Sequence, residues 1–300
     1  MLGKIELMTI FVAVAEEQGF SAASRRLNMS PPKVTRAVAM LEEHLSVKLL
    51  TRTTRYVRVT DAGMRYLEDV KRILNDINLA NEAAQGINST PQGCISVTAP
   101  VLFGQQFVLP SVLEYLNTYP KTEVNTVFLD RIVNLLEEGF DVGIRIGDLE
   151  DSSMRAKKVG SVRLSLAASP EYLAKNGIPQ HFSTLNNHSL IETQAGSLNP
   201  EWKFIQDGKI AHHPISSRLQ VTTNQAAINA AVAGFGICRV ISYQVANELA
   251  QNKLKFVLEE FEIPPLPINI VHREDRISSA KIRSFIDLLA KNLLKNTTLN

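Results

Sequence analysis

Basic and hydroxyl side chains are concentrated in one short segment near the N-terminus. Between Phe20 and Thr60 there are eight arginines and lysines against two glutamates, a net charge of +6, although the whole 300-residue chain carries only +2. Guanidinium, ammonium and hydroxyl groups bind phosphate oxygens. Positive charge gathered in one stretch is typical of proteins that bind polyanions. The sequence therefore predicts a phosphate-binding surface here, with a solvated basic face on a helical domain as the alternative.

Two short helices joined by a tight turn are predicted to carry these groups. Ser21 can cap a helix that runs to Leu27, and the turn follows at residues 28–29. Ser30 can cap the next helix, with Pro31 at its first position, where a missing N–H costs nothing. This arrangement predicts a helix-turn-helix, whose second helix enters the major groove of DNA.

The second helix, predicted from Pro31 to Glu43, has one apolar and one polar face. Its buried stripe is predicted to be Val34, Val38 and Leu41. The opposite face, free to meet a groove, carries Lys33, Arg36 and Met40. The N-terminal end of such a helix is the part that usually meets base edges.

A wing is predicted directly after these helices. Leu49 to Thr60 offers two short strands around hydroxyl and guanidinium groups, which bind phosphates and set register without reading sequence. The residues predicted to contact DNA in helices and wing together are Ser21, Arg25, Ser30, Pro31, Pro32, Lys33, Thr35, Arg36, Arg52, Thr53, Thr54 and Arg55.

Past the wing, seam residues step by four and three from Gly63 over about three heptads. They are Leu67, Val70, Leu74, Ile77, Asn81 and Ala84. This spacing predicts a coiled coil between two copies of the chain over residues 61–88, with Asn81 fixing the register. The alternative is one amphipathic helix packed on its own domain. Two-fold pairing would let the protein read two related half-sites.

Strand and helix signals alternate after a turn-rich linker at residues 89–93. The first predicted elements are strands from Cys94 to Thr98, Val124 to Leu129 and Val142 to Ile146, with helices from Leu109 to Leu116 and Ile132 to Glu138 between them. Their order predicts a parallel sheet with right-handed crossovers. Later predicted strands are Leu164 to Ala168, Leu219 to Val221 and Ile268 to Val271, and later helices are Asn224 to Ala233 and Ser279 to Leu294.

Several segments together resemble the LysR-type transcriptional regulators, and the resemblance covers nearly the whole chain. They are Phe20 to Leu27, Ser30 to Arg36, Arg52 to Arg55, Thr60 to Gly63, Glu138 to Gly147 and Ala168 to Leu173. Many family members carry Gln where this chain has Pro31, so the base contact often made there is not carried over. A Ser or Thr is frequent where this chain has Ala99-Pro100-Val101, which removes a hydroxyl from the expected ligand site.

The resemblance implies an all-α winged helix-turn-helix at 1–60, a linker helix at 61–88, a hinge at 89–93 and an α/β effector domain. That domain would have two lobes, as in type 2 periplasmic solute-binding proteins: 94–161 with 267–300, and 162–266. Ligands of such sheets bind beyond the carboxyl ends of strands, near helix N-termini. The effector-binding residues predicted on this basis are Thr98, Pro100, Val101, Leu102, Phe103, Arg131, Arg145, Gly147, Thr193, Asn224 and Gln225. Arg145 could pair with an anionic effector, and a structural salt bridge is the alternative.

The function implied is sequence-specific regulation of promoter DNA, modulated by a small molecule bound between the lobes. The partners implied are DNA, an effector of unknown identity that could be anionic, and further copies of the chain, as a dimer through the linker helix and a tetramer by family likeness. Two cysteines far apart fit a reducing cytoplasm. The sequence carries no nucleotide loop, zinc-protease motif or nucleophile elbow, so we expect no cofactor, metal or catalysis. A periplasmic-type solute-binding protein and a small α/β enzyme with an appended DNA-binding region are the rival interpretations.

Overall fold

The N-terminal part of the chain contains three short helices, a two-stranded hairpin and one long helix. A computed structural model describes residues 2–52, 57–85, 90–149, 154–193, 201–273 and 279–299, and the chain separates into two units at residues 89 and 90. The elements of the first unit are α1 (Lys4–Glu16), α2 (Phe20–Arg26), α3 (Pro31–Leu45), β1 (Leu50–Arg52), β2 (Val57–Val59) and α4 (Asp61–Gln85). Strands β1 and β2 pair antiparallel, as the wing prediction requires.

The core of this first unit follows the helical spacing of its apolar residues. In α1 Leu7, Phe11 and Val14 recur at intervals of four and three and are buried. The predicted stripe of α3 is buried against them, because Val34 and Val38 have almost no exposed surface. The N-terminal apolar stretch is therefore one packed face of a helix.

The second unit contains two five-stranded sheets. The first sheet has the order β4-β3-β5-β14-β6. Its strands are β3 (Gly93–Ala99), β4 (Thr122–Phe128), β5 (Val142–Ile146), β6 (Met154–Val162) and β14 (Leu266–Arg273). Strand β3 runs parallel to both β4 and β5, which confirms the predicted parallel pairing, and β14 joins antiparallel.

The second sheet has the order β11-β8-β12-β7-β13. Its strands are β7 (Leu164–Ala168), β8 (Leu190–Thr193), β11 (Ser217–Val221), β12 (Ile237–Ile241) and β13 (Lys255–Val257), and a separate hairpin is formed by β9 (Glu201–Gln206) and β10 (Lys209–Pro214). Asp207 and Gly208 both have positive φ at the tip of that hairpin, the geometry that an Asp-Gly turn favours.

Helices cover the two sheets. They are α5 (Val101–Phe103), continued by a π-helical turn at Gly104–Val108 into α6 (Leu109–Thr118), then α7 (Pro170–Asn176), α8 (Asn224–Val232), α9 (Ala246–Ala250) and α10 (Ala280–Leu294). Short 3-10 turns lie at Phe182–Asn187, Ser242–Val245, Glu259–Phe261 and Thr297–Leu299. No helix of the described ranges is both long and apolar enough to cross a membrane.

The chain passes between the two sheets twice. Val162, the last residue of β6, pairs with Leu266, the first residue of β14, so both crossings lie side by side at one edge of the first sheet. The two sheets with their helices form the two α/β lobes that the sequence resemblance implied, and the predicted fold class is confirmed.

The predicted helix from Ile132 to Glu138 is wrong. Residues 132–134 have no regular structure and 135–139 form turns. The side chain of Asn134 accepts hydrogen bonds from the N–H groups of Leu136 (3.1 Å) and Glu137 (3.4 Å). Because a short polar side chain that binds the following backbone favours turns over helix, the segment closes on itself.

Candidate nucleic-acid interface and effector cleft

The two helices of the predicted helix-turn-helix meet at a tight turn, where Asn28 has a left-handed φ of +51°. The predicted cap at Ser21 is wrong, because α2 begins before it. Gly19 is the capping position, with extended backbone, and its carbonyl accepts the N–H of Ala23 (3.0 Å). Ser21 is therefore an exposed residue inside the helix.

Helix α3 begins as predicted, with Ser30 extended at the cap and Pro31 as the first helical residue. The Ser30 carbonyl accepts from Lys33 N (3.0 Å) and Val34 N (3.1 Å), while its hydroxyl makes no capping bond. The exposed residues at this end are Pro31, Pro32, Lys33 and Arg36, and Thr35 is half-buried.

Met40 does not lie on the open face of α3. It is partly buried and packs against the apolar core of its own unit, so the prediction that it faces a groove is wrong. Helix α3 has neighbours on more than one side, since it contacts both α1 and α2. A single helical stripe therefore underestimates what it buries.

The basic residues divide into those already paired and those that are not. Arg26 contacts Glu16 (2.7 Å) and Glu17 (3.4 Å), and Lys48 contacts Glu42 (2.6 Å). Lys33 reaches Glu6 only at 4.0 Å. Within the described part of the unit, the exposed side chains of Arg25, Arg36 and Arg58 form no ion pair and are available to a polyanion.

Glu42 connects α3 to the first strand of the wing. Its Oε1 accepts the backbone N–H groups of Leu49 (3.0 Å) and Leu50 (3.1 Å), and its Oε2 accepts from Lys48. The carboxylate is 8% exposed. Burial alone would raise its pKa, but the hydrogen bonds from Lys48, Leu50 and Leu49 outweigh burial and hold the pKa below its ordinary value.

The wing itself is described only in its two strands. The register joins Leu50 to Val59 and Arg52 to Val57. Thr53, Thr54 and Arg55, three of the predicted DNA contacts, lie outside the described residues, and for Arg52 only the backbone is described. Arg58, which the sequence did not single out, is an exposed guanidinium on β2.

The long helix α4 is anchored to the wing at its start. Thr60 Oγ1 accepts the N–H of Gly63 (2.9 Å) and donates to the carbonyl oxygens of Lys48 (2.8 Å) and Leu49 (3.2 Å). Lys71 on α4 pairs with Glu16 on α1 (2.7 Å). The first half of α4 is thus part of the N-terminal unit.

The predicted dimer seam changes character along α4. Val70 is completely buried and Leu67 packs on the core of the same unit. Val70 therefore has no surface left for a second chain, and its assignment to the seam is wrong. Leu74 and Ile77 are half-buried and Asn81 is exposed, while the side chain of Ala84 lies outside the described residues.

In the second unit, Asp130 lies where the two lobes meet. It follows β4, and its Oδ1 accepts the N–H of Val101, the first residue of α5 (3.0 Å). Its Oδ2 accepts from the side-chain amide of Asn224, the first residue of α8 in the other lobe (3.3 Å). A helix N-terminus is a favoured position for a carboxylate. The chain thus supplies its own anion at the place expected for an anionic effector.

An aromatic cluster joins the lobes beside Asp130. Tyr243 lies edge-on to Phe103 and Phe107, with both ring-centroid distances 5.5 Å. The Tyr243 hydroxyl is fully enclosed, and the amide oxygen of neighbouring Gln244 is committed to the N–H of Ile241 (3.0 Å). Burial raises the pKa of Tyr243 well above its ordinary value. The two lobes are therefore in direct apolar contact.

Several predicted effector residues are held by other parts of the chain. Arg131 forms a two-pronged ion pair with Glu138 (2.7 and 2.5 Å) on the surface. Arg145 donates to the carbonyl of Val133, so neither the expected anion nor a carboxylate partner is its described contact. Burial lowers the pKa of Arg145, and Glu138 offsets part of that effect. These arginines do not converge on Asp130.

The other predicted effector residues vary in exposure. Thr98, Leu102 and Phe103 are buried, and Pro100, Val101 and Thr193 are half-buried. Gly147 has φ of +108° and donates its N–H to the carbonyl of Pro267 (2.9 Å), so it belongs to the crossing region. Gln225 donates to Asn229 within α8 (3.0 Å). The structure brings Val101, Phe103 and Asn224 together around Asp130.

Tyr243 and Phe107 were missed by the sequence reasoning. Tyr243 follows the carboxyl end of β12, so the rule that found Asp130 after β4 would have found it had β12 been recognised as a strand. No metal-binding group of three His, Cys, Asp or Glu side chains occurs in the part of the chain that is described.

Two family models match the chain. Residues 5–64 match the model described as bacterial regulatory helix-turn-helix protein, lysR family, and residues 88–294 match the LysR substrate binding domain. The second match alone covers more than half of the sequence.

Curated relatives are similar over almost their whole length. HTH-type transcriptional regulator CrgA of Neisseria meningitidis serogroup B is 32% identical over 293 residues, 97% of each chain. HTH-type transcriptional activator AaeR of Escherichia coli K12 is 30% identical, with 95% of this chain and 93% of that protein covered. The CrgA structure matches with a TM-score of 0.61 at 31% identity, covering 99% and 100%. The full-length structure of the Vibrio cholerae virulence activator AphB matches with a TM-score of 0.62 at 24% identity, covering 96% and 99%, a similarity of fold.

Proposed function

Because this chain belongs to the LysR family of bacterial transcriptional regulators, we propose that it grips promoter DNA with the start of α3, Arg25 and the wing, and responds to a small molecule between its two lobes. The observation that supports this reading of the DNA interface most directly is the division of its basic residues. Those of the exposed set, Arg25, Arg36 and Arg58, are unpaired within the described unit, while Arg26 and Lys48 are held by glutamates.

In this proposal, the start of α3 meets base edges and the unpaired arginines bind phosphates on either side of it. Pro31 and Pro32 present carbon surface and no N–H, so we assign base reading to Lys33, Thr35 and Arg36. The undescribed wing tip, with Thr53, Thr54 and Arg55, remains part of the proposed contact.

Replacing Arg36 by alanine is expected to weaken DNA binding by about tenfold at low salt and to reduce the salt slope by about one. The reason is that one unpaired guanidinium is lost from the interface. The measurement is a gel shift of the full chain on its own upstream DNA at several salt concentrations.

Arg26→Ala is the matched control, since it removes an arginine that contacts Glu16 and Glu17. It should leave the salt slope unchanged. Equal effects of the two substitutions would contradict the division into paired and available cations. No binding of the unmodified chain even at low salt would contradict the regulator itself.

We assign pairing of two copies to the second half of α4, from Leu74 onward, with Ile77, Asn81 and Ala84. Leu67 and Val70 serve the core of the N-terminal unit instead. A dimer formed there would present two helix-turn-helix units to related half-sites, and a tetramer is the further expectation from the family. Work on DNA places the protein in the cytoplasm.

For the sensing half, we propose that the effector binds at the Asp130 contact between the lobes. An external carboxylate would have to displace Asp130 from the N–H of Val101. A ligand with a hydrogen-bond donor or a positive charge could replace Asn224 instead, since the carboxylate of Asp130 only accepts. The geometry thus favours a donor-bearing effector over the anion that the sequence suggested. Nothing in this arrangement favours a transported solute or a catalytic reaction.

Asp130→Asn is expected to accelerate amide hydrogen exchange around Val101 by about tenfold, because it replaces a charge-assisted hydrogen bond with a neutral one. Hydrogen-exchange mass spectrometry of the full chain, read on the peptide spanning 99–103, measures it. Asp148→Asn, an exposed aspartate of the same lobe, makes the same change in charge and should have no effect. Unchanged exchange in both variants would show that Asp130 does not hold the lobes.

A further inference from the structure

A small pocket lies inside the second lobe, between the β9–β10 hairpin and the sheet. Its volume is about 290 Å³, part of which is open to solvent. Apolar walls come from Leu164, Leu166 and Phe204, and polar groups come from Trp202, Arg239 and Glu262. None of these residues takes part in the contacts around Asp130 and Tyr243, so the pocket is separate from the cleft between the lobes.

Arg239 is the positive group of this pocket. Its guanidinium carbon lies 5.4 Å from the centre of the Trp202 ring, and the side chain is largely buried. Burial lowers its pKa, and the charge of Glu192 offsets part of that effect. Across the described ranges, this guanidinium makes no hydrogen bond, although it carries five N–H donors. Buried guanidinium groups are normally paired, because an unpaired one is costly.

Two more polar atoms in the same pocket have no hydrogen-bond partner in the described chain. They are the indole Nε1 of Trp202 and the Oε1 of Glu262, and both are fully enclosed. The other carboxylate oxygen of Glu262 accepts from Arg163 (3.3 Å). The pocket therefore offers donors on one side and a charged acceptor on the other, and all are withdrawn from bulk water.

We propose that this pocket binds a small carboxylic acid that also carries an ammonium or hydroxyl donor. The carboxylate meets the guanidinium of Arg239 and the indole N–H of Trp202. The donor meets Oε1 of Glu262. A guest of this kind satisfies all three groups at once, and the volume limits it to the size of a small amino acid or hydroxy acid. It links β9, β12 and the segment before β14, and it does not depend on the assignment of the cleft.

Intrinsic fluorescence tests this directly, because Trp202 is the only tryptophan of the chain. The full chain is titrated separately with glycine, glycolate, acetate and methylammonium. We expect a saturable change with glycine or glycolate, a change at about tenfold higher concentration with acetate because one hydrogen bond is missing, and none with methylammonium. The absence of a saturable change with both glycine and glycolate would overturn the proposal, since water alone would then fill the pocket.

Variants then assign the residues. Arg239→Gln should abolish the saturable change, and Glu262→Gln should weaken glycine binding while leaving acetate binding unchanged. Lys209→Gln, an exposed lysine of the same hairpin outside the pocket, removes one positive charge as a control and should bind as the unmodified chain does. If Arg239→Gln does not fold by circular dichroism, Arg239→Lys replaces it, with binding weakened at least about tenfold because the planar fork is lost. Saturable binding that is equal in the folded Arg239 variant and the unmodified chain would show that the fluorescence change arises elsewhere.

Discussion

Replacement of Glu42 by alanine is expected to cost the N-terminal unit about 3 kcal/mol of stability or more. The substitution removes the acceptor of two buried backbone N–H groups, those of Leu49 and Leu50, at 3.0 and 3.1 Å. Hydrogen bonds to charged groups contribute about 1.5–3 kcal/mol each, and a donor left buried without a partner is penalised further. Since β1 begins at Leu50, the same substitution should displace the wing and abolish DNA binding.

The contribution of Glu42 depends on pH in a definite direction. Its carboxyl has a lowered pKa in the folded chain. A lowered pKa means that the folded state favours the ionised form, so the stabilisation is complete above the ordinary pKa of the unfolded chain and is lost as pH falls through the lowered value. Stability at neutral pH should therefore be unaffected by small changes of pH, and the wing should loosen in acid.

Hydrogen-exchange mass spectrometry of the full chain isolates this effect from the second unit. In Glu42→Ala, exchange on the peptide spanning 45–52 should rise by about 100-fold, the factor that corresponds to about 3 kcal/mol. Glu43→Ala is the matched control, because Glu43 is the exposed neighbouring glutamate and the change of charge is identical. If Glu43→Ala accelerated exchange as much as Glu42→Ala, net charge rather than the two amide bonds would be the cause.

The sequence was most informative where local rules determine the structure. Pro31 at the first position of α3 and the stripe of Val34, Val38 and Leu41 follow from helix geometry alone, and both are present. Glu42 could not be recognised in this way. Its partners Leu49 and Leu50 lie seven and eight residues away in the chain, and a glutamate beside a helical stripe is usually solvated. Its burial is a consequence of how the chain turns into β1.

The contact between the lobes was still harder to predict. The strand-end rule indicated Asp130 and Asn224 separately, and the structure joins them across 94 residues of sequence. Phe103 was expected near a ligand, and its ring meets Tyr243 instead. Pairings of this kind depend on the closure of two lobes, which no local pattern encodes. The pocket around Arg239 was invisible for the same reason, since its polar groups come from three separate elements.

Gly63 presents a case in which two physical rules predict opposite results. Alanine is a better helix former than glycine by about 1 kcal/mol, so Gly63→Ala on α4 should stabilise the unit if the position were open. A Cβ atom at Gly63 would instead lie 2.1 Å from the carbonyl oxygen of Leu49 and 2.8 Å from Cγ1 of Val59. The obstacle is backbone at the end of the wing anchor, and it can move only if β1 moves. We expect the steric cost to prevail, with a net loss of about 3 kcal/mol, at the upper end of overpacking effects.

The sign of this change also decides what the glycine is for. The heptad spacing placed Gly63 at the head of a dimer seam, where a methyl group would alter association between chains and leave each folded unit intact. Close approach to Leu49 predicts the reverse: faster hydrogen exchange in both 45–52 and the first turns of α4, at every protein concentration. Gly3→Ala, where an added Cβ meets nothing within 4 Å, should leave both peptides unchanged. Acceleration that disappeared as the protein was concentrated would return Gly63 to the seam. Acceleration independent of concentration would mean that the seam begins farther along α4, with the half-buried Leu74 and Ile77.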